Sequence, residues 1–268
     1  MSKGSMHGRE AFIRNIASRL GRKEPLSAAP VRNEIGVPPH AASLKLTEEE
    51  RFRLFAENWS ALTGRMKRVR RDEASQAVSA YVGELAQEFG VTRIARWDEK
   101  RLNALDLDGK LRGQGLEVVV WRKDGAAHDS GRPFTPRLTA TDENGAPAPG
   151  KWARREPLLQ AVEQCQMGIV WPEAVIANTG SLVLFADPGH GRSVSLVTDV
   201  LVAVFERSQI VARMGEAFAL MKERYGSVRN IPSSVNIITG PSRSADIEND
   251  LTIGIHGPGK VVAIIIED

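Results

Sequence analysis

The chain has 268 residues, enough for one large domain or two small ones. With 42% hydrophobic and 26% charged residues it can bury a sizeable core, and a net charge of only +3 argues against a nucleic-acid-binding body. A single cysteine excludes an intramolecular disulfide, and one thiol cannot hold an iron–sulfur cluster or a cysteine-rich zinc site.

The positive charge is concentrated at the start. Residues 1–32 carry Lys3, Arg9, Arg14, Arg19, Arg22, Lys23 and Arg32 against Glu10 and Glu24. Within this arm, GREAFIRNIASRL (8–20) puts Phe12, Ile13, Ile16 and Leu20 on one helical face, and Gly21 stops the helix. A proline-rich linker follows, so residues 1–45 are expected to form a separable helical arm, with self-association as one use for its apolar face. No apolar run approaches the roughly 20 residues of a membrane span, and the N-terminus has no apolar signal core. The expected location is the cytoplasm, with no membrane and no nucleic-acid partner.

The main domain, 46–268, opens on Thr47 and Glu50, a capping box leading into a helix with Phe52, Phe55, Trp59 and Leu62 in register. RMKRVRR (65–71) reads as a solvated edge rather than a phosphate site. A helix ending at Gly90, the strand VTRIARW, a short helix over 98–105 and the buried strand LEVVVW follow. Residues 122–150, rich in Gly, Pro and Asp, predict a long excursion or hairpin. Alternation then resumes with the helix REPLLQAVEQC, which places Cys165 as a buried structural thiol, and the strand MGIVW. ANTGSLVLFAD is a turn feeding a strand, SLVTDVLVAVF an apolar run, SQIVARMGEAFALMKERYG a capped helix, SSVNIITGPS a strand, and KVVAIIIED the last strand. Apolar strands alternating with helices predict an α/β fold: a mostly parallel open sheet with helices on both faces.

In such sheets ligands gather at the carboxyl ends of strands. Three segments have the donors for an anion. Asn178, Thr179, Gly180 and Ser181 form a small turn, although these residue types also make ordinary turns. The loop Pro188–Ser195 offers Arg192, Ser193 and Ser195 around His190. Thr239, Gly240, Ser242 and Arg243 follow a strand directly, with Arg243 presenting a fork to a carboxylate or phosphate. Asp246, Glu248 and His256 are the candidates for moving a proton; acids at a helix start also serve simply to complement its dipole. The alternative for Arg243 is an internal pair with Asp246 or Glu248.

TGPSRSADIE (239–248) followed by GIHGPG (254–259) resembles the C-terminal signature of the LUD domain family. ANTGSLVL and GRSVSLVTDVLVAV match two preceding family segments in order and spacing, and the resemblance runs from about residue 45 to the end. It implies a fold of the sugar-phosphate isomerase and CoA-transferase type. It also implies a part in oxidising L-lactate to pyruvate beside two sister proteins that carry the iron–sulfur clusters, with no cofactor bound by this chain. Two positions depart from the family pattern: Asn178 stands where many relatives have an acid, and Leu201 where many have a histidine. If those positions do chemistry in relatives, the departures imply binding without catalysis or a different substrate, and the uncharged Asn178 favours binding over acid–base work. The alternative is an independent enzyme on a small phosphorylated or CoA-linked metabolite.

Overall fold

The computed structural model describes residues 7–28, 31, 45–122, 156–226, 230–232, 234–245 and 251–268. All but the first residue of the excursion expected over 122–150, most of the linker, and the candidates Asp246 and Glu248 lie outside them. Backbone contacts divide the chain into two units, meeting between Leu44 and Lys45. In the first, α1 (Arg9–Arg19) buries only Ala17 and leaves Phe12, Ile16 and Leu20 exposed.

The second unit opens on α2 (Glu48–Ala61). Thr47 caps it as expected: the Glu50 amide donates to Thr47 Oγ1 at 3.3 Å, and the Thr47 amide donates to Glu50 Oε2 at 2.7 Å. Phe52, Phe55 and Trp59 form its buried face. After it come β1 (Arg65–Arg70), α3 (Ala74–Phe89), β2 (Arg93–Trp97), α4 (Lys100–Ala104), α5 (Leu107–Gly113) and β3 (Glu117–Trp121). The later elements are α6 (Glu156–Glu163), β4 (Met167–Val170), β5 (Ala174–Ile176), β6 (Ser181–Ala186), α7 (Ser193–Leu196), β7 (Val200–Glu206), β8 (Ile210–Val211) and α8 (Met214–Tyr225). The chain closes with β9 (Ser234–Thr239), β10 (Arg243–Ala245), β11 (Leu251–Ile253) and β12 (Lys260–Glu267).

Six strands make one sheet in the order β1-β12-β7-β4-β2-β3, and every pairing in it is parallel. Its central strands are apolar on both sides because both faces are covered: all of Met167–Val170 is buried, as is Val261–Ile266. β1 is the basic edge. Its arginines are engaged along the rim, Arg65 with Glu88 at 2.6 Å and Arg68 with Glu267 at 2.8 Å, which also guards the edge against foreign strands.

The structure corrects the single-sheet reading. β6 and β9, counted there among the strands of the parallel sheet, belong to a second sheet in the order β8-β5-β6-β9, in which β6 runs antiparallel to both neighbours. A short apolar strand carries no label saying which sheet it joins. Arg243 starts a short strand, β10, which pairs antiparallel with β11. No helix among the described residues is long and apolar enough to cross a membrane.

The chain reverses its direction of travel across the parallel sheet between β2 and β4, the position where such sheets open a crevice. Here an ion-pair ladder occupies it. Arg101 lies over the Trp171 ring at 4.9 Å and reaches Glu173 at 3.9 Å, and Glu173 also pairs with Arg224 of α8. Open space is found one strand over, beside β3.

Candidate functional site

The three candidate segments do not form one site. In the β6–β9 pairing, Ser181 faces Thr239 while Ala186 faces Ser234. The turn before β6 therefore sits at one end of this hairpin and the loop after β6 at the other. Five residues separate the ends, about 17 Å at strand rise.

At the first end, two of the candidate segments do meet. Thr179, Ser181 and Thr239 form a chain of hydroxyls, 2.7 Å from Thr179 Oγ1 to Ser181 Oγ and 2.7 Å on to Thr239 Oγ1. Asn178 is exposed, and its amide donates to the Ala212 carbonyl at 3.2 Å. The cluster is pressed onto the end of α2, where Asn58 Nδ2 donates to the Ala177 carbonyl at 3.0 Å. Gly240 has φ 73°, and a Cβ there would lie 2.9 Å from Leu62 Cβ, so both conformation and space require glycine. Arg243 Nη2 donates to the Leu62 carbonyl at 3.0 Å, where a cation complements the helix C-terminus. Ser242 accepts the His256 amide at 3.2 Å on Oγ, and the His256 side chain is exposed. Thr179 lies in the turn that follows β5 and precedes β6, and Thr239 ends β9, so these hydroxyls meet at the carboxyl ends of β5 and β9. These donors are largely spent on the protein itself.

The second end is different. Asp187, Pro188, His190, Gly191, Arg192 and Ser193 border a cavity of about 520 Å³ that also touches Trp121, the last residue of β3. The loop is fastened from the sheet side. The Asp98 amide donates to the Gly189 carbonyl at 3.1 Å, and Trp97 Nε1 donates to the Gly191 carbonyl at 2.9 Å. Gly191 lies flat against Trp121, where a Cβ would come within 2.1 Å of the ring. Ser195 is fully buried and its hydroxyl donates to the Arg192 carbonyl at 3.0 Å, so it shapes the loop rather than reaching a ligand.

His190 is buried against Trp97, ring centroids 4.7 Å apart, and its Nδ1 lies 2.9 Å from Asp187 Oδ2. Asp187 Oδ1 accepts the Gly189 amide at 2.9 Å, which fixes the carboxylate. The guanidinium of Arg192 is exposed and meets no carboxylate among the described residues. A cation without a carboxylate partner among the described residues, a hydroxyl on Ser193 and an imidazole stacked on Trp97 share one cavity wall, the equipment for holding an anion. Sequence reasoning missed Asp187 and Trp97. The Asp-x-x-His spacing of Asp187 and His190 was a signal for the first; nothing local to 187–193 pointed to Trp97.

Residues 52–266 match the family model described as LUD domain. The chain belongs to the LUD domain family. Among curated relatives, the Lactate utilization protein C of Bacillus licheniformis is 31% identical across the whole of both chains. The Lactate utilization protein C proteins of Macrococcus caseolyticus and Bacillus subtilis are each 26% identical, again over both full lengths. A solved structure of a DUF162 family protein from Deinococcus radiodurans superposes with a TM-score of 0.50 at 14% identity, covering 83% of this chain and 100% of that one. That likeness concerns the fold: the parallel sheet and helices of this LUD domain have a counterpart among solved structures.

Leu201, one of the two departures noted from the LUD pattern, is fully buried as the second residue of β7. The other, Asn178, lies with the hydroxyl chain and away from the cavity, so neither departure alters the cavity wall.

Proposed function

We propose that this LUD domain protein is a cytoplasmic subunit of an L-lactate utilization system, holding a small carboxylate in the cavity beside β3 and acting with iron–sulfur partner proteins. The relatives named Lactate utilization protein C, which match it from end to end, support the biological setting. One observation carries the site: Arg192, which pairs with no carboxylate among the described residues, brings its guanidinium to a cavity at the carboxyl end of a parallel strand. The iron–sulfur clusters are assigned to the partners, because Cys165 is buried and directs its thiol to the Ala161 carbonyl.

The cavity volume also favours a second reading. A three-carbon acid fills only part of about 520 Å³, and a phosphorylated or CoA-linked metabolite would use more of it. Co-purification of the full-length chain from its host separates the two. The first reading expects iron–sulfur proteins to accompany it and the complex to reduce an artificial acceptor when L-lactate is added. A chain that purifies alone and turns over a phosphorylated or CoA-linked substrate supports the second.

A further inference from the structure

Among the described residues, the two larger sheets present four edge strands, and three of them are guarded. β1 lines its edge with Arg65, Lys67, Arg68 and Arg70. β3 is buried at every position but its first. β8 is two residues long, both buried. β9 is the exception. It runs from Ser234 to Thr239 without a charge, a proline or a glycine, and its outer side has no strand partner among the described residues. A row of backbone donors and acceptors left open in this way is a template for another strand. The side chains of β9 point to the occupant. Ile238 packs on the main core, while Val235, on the opposite face, packs on a small second core that includes Val183 and Phe185. Ile237 shares the face of Val235 and reaches past that cover, 37% exposed. In an antiparallel pair across a two-fold axis, a residue on the axis faces its own copy. A charge there would meet itself, and β9 carries none. The arm is the poorer contact between copies, since residues 1–32 carry seven cations against two acids and would set like charge on like.

We propose that two copies of this chain pair through β9, antiparallel and centred on Ile237, joining their four-stranded sheets into one continuous sheet. Ile237 then faces the Ile237 of the second copy, Val235 faces its Thr239, and the second core continues across the axis. Ser234, at the start of the same strand, borders the cavity beside β3, so the pairing also steadies one cavity wall. A strand of this length spans about 20 Å, and its pairing falls short of the roughly 800 Å² per partner of a standard interface. The dimer is therefore one that dissociates on dilution. It stands independently of what the cavity binds.

The test is sedimentation velocity of the full-length protein over a wide range of concentration. The parent should move from monomer to a species of twice the 29.3 kDa of one chain as concentration rises. Ile237→Lys sets two ammonium groups opposite each other and should hold the protein monomeric throughout, with a cooperative melt showing that it folds. Ile237→Cys tests the register. Opposed residues of an antiparallel pair lie about 4.5–5.5 Å apart at Cα, within disulfide reach. Mild oxidation should link this variant into a covalent dimer, and the parent should stay unlinked because Cys165 is buried. Should the lysine variant not fold, the crosslink decides alone, and no covalent dimer overturns the pairing. A parent that stays monomeric at every concentration overturns it as well. So does a dimer that persists in Ile237→Lys, or one lost instead on Phe12→Glu in the arm.

Discussion

Arg243 Nη2 donates to the Leu62 carbonyl oxygen at 3.0 Å, tying two positions 181 residues apart in the chain. The bond ends α2 on a cation and pins the turn that leads into β10. Nη2 also lies 3.4 Å from Thr63 Oγ1, a residue held at φ 64° just past the helix.

Arg243 is therefore expected to act as a clamp. Arg243→Ala should lower stability by about 0.5–1.5 kcal/mol, the range for one hydrogen bond and a helix-end charge. Anion affinity should not change. Urea unfolding together with calorimetric titration of the same variant checks both halves.

The arm makes its own prediction. Residues 1–44 group apart from the rest, and α1 buries a single side chain. Deleting them should leave a cooperative melt within a few degrees of the full chain. If self-association is lost at the same time, sedimentation of the two forms will show it. Aggregation on truncation would mean that the arm belongs to the main core.

Two carboxylates set an acid limit on stability. The Thr47 backbone and hydroxyl hydrogen bonds hold Glu50 below the ordinary carboxylate value of 4.5, and the hydrogen bond from Arg65 does the same for Glu88. A depressed folded value means the contribution is present above the ordinary value and is lost as pH falls through the folded one. Glu50→Gln and Glu88→Gln should each melt lower than the parent at neutral pH, with the gap closing in acid. Melting curves taken down to about pH 3 measure this directly.

Much of the fold was legible because burial on both faces leaves a plain mark. VVAIIIE reads as a strand, VLVAVF as an apolar run that proves to be the strand beside it, and TEEE before an apolar face opens a helix. The second sheet was not legible, since SLVLFA looks the same whether its neighbour is parallel or antiparallel. Two-residue β8 and three-residue β5 are too short to show a period, and RMKRVR reads as surface because an edge strand needs only one buried side chain, Val69. At the site, the loop 187–193 was recognised as a donor-rich segment. Its partners were hidden: Trp97 and Trp121 come from strands far back in the sequence. The grouping failed for a geometric reason. Ser181 and Asp187 are six positions apart, and on an extended strand that short stretch carries them to opposite ends of the hairpin.

The most direct measurement compares Arg192→Ala and Arg243→Ala in one titration with a small carboxylate such as L-lactate, alongside their melting temperatures. Arg192→Ala should weaken binding roughly ten- to a hundred-fold, the loss of one charge-assisted contact, and leave the melting temperature near that of the parent. Arg243→Ala should do the reverse, melting lower and binding as before. If instead binding is lost with Arg243 and kept without Arg192, the anion sits at the end of α2 and the cavity beside β3 is not the site.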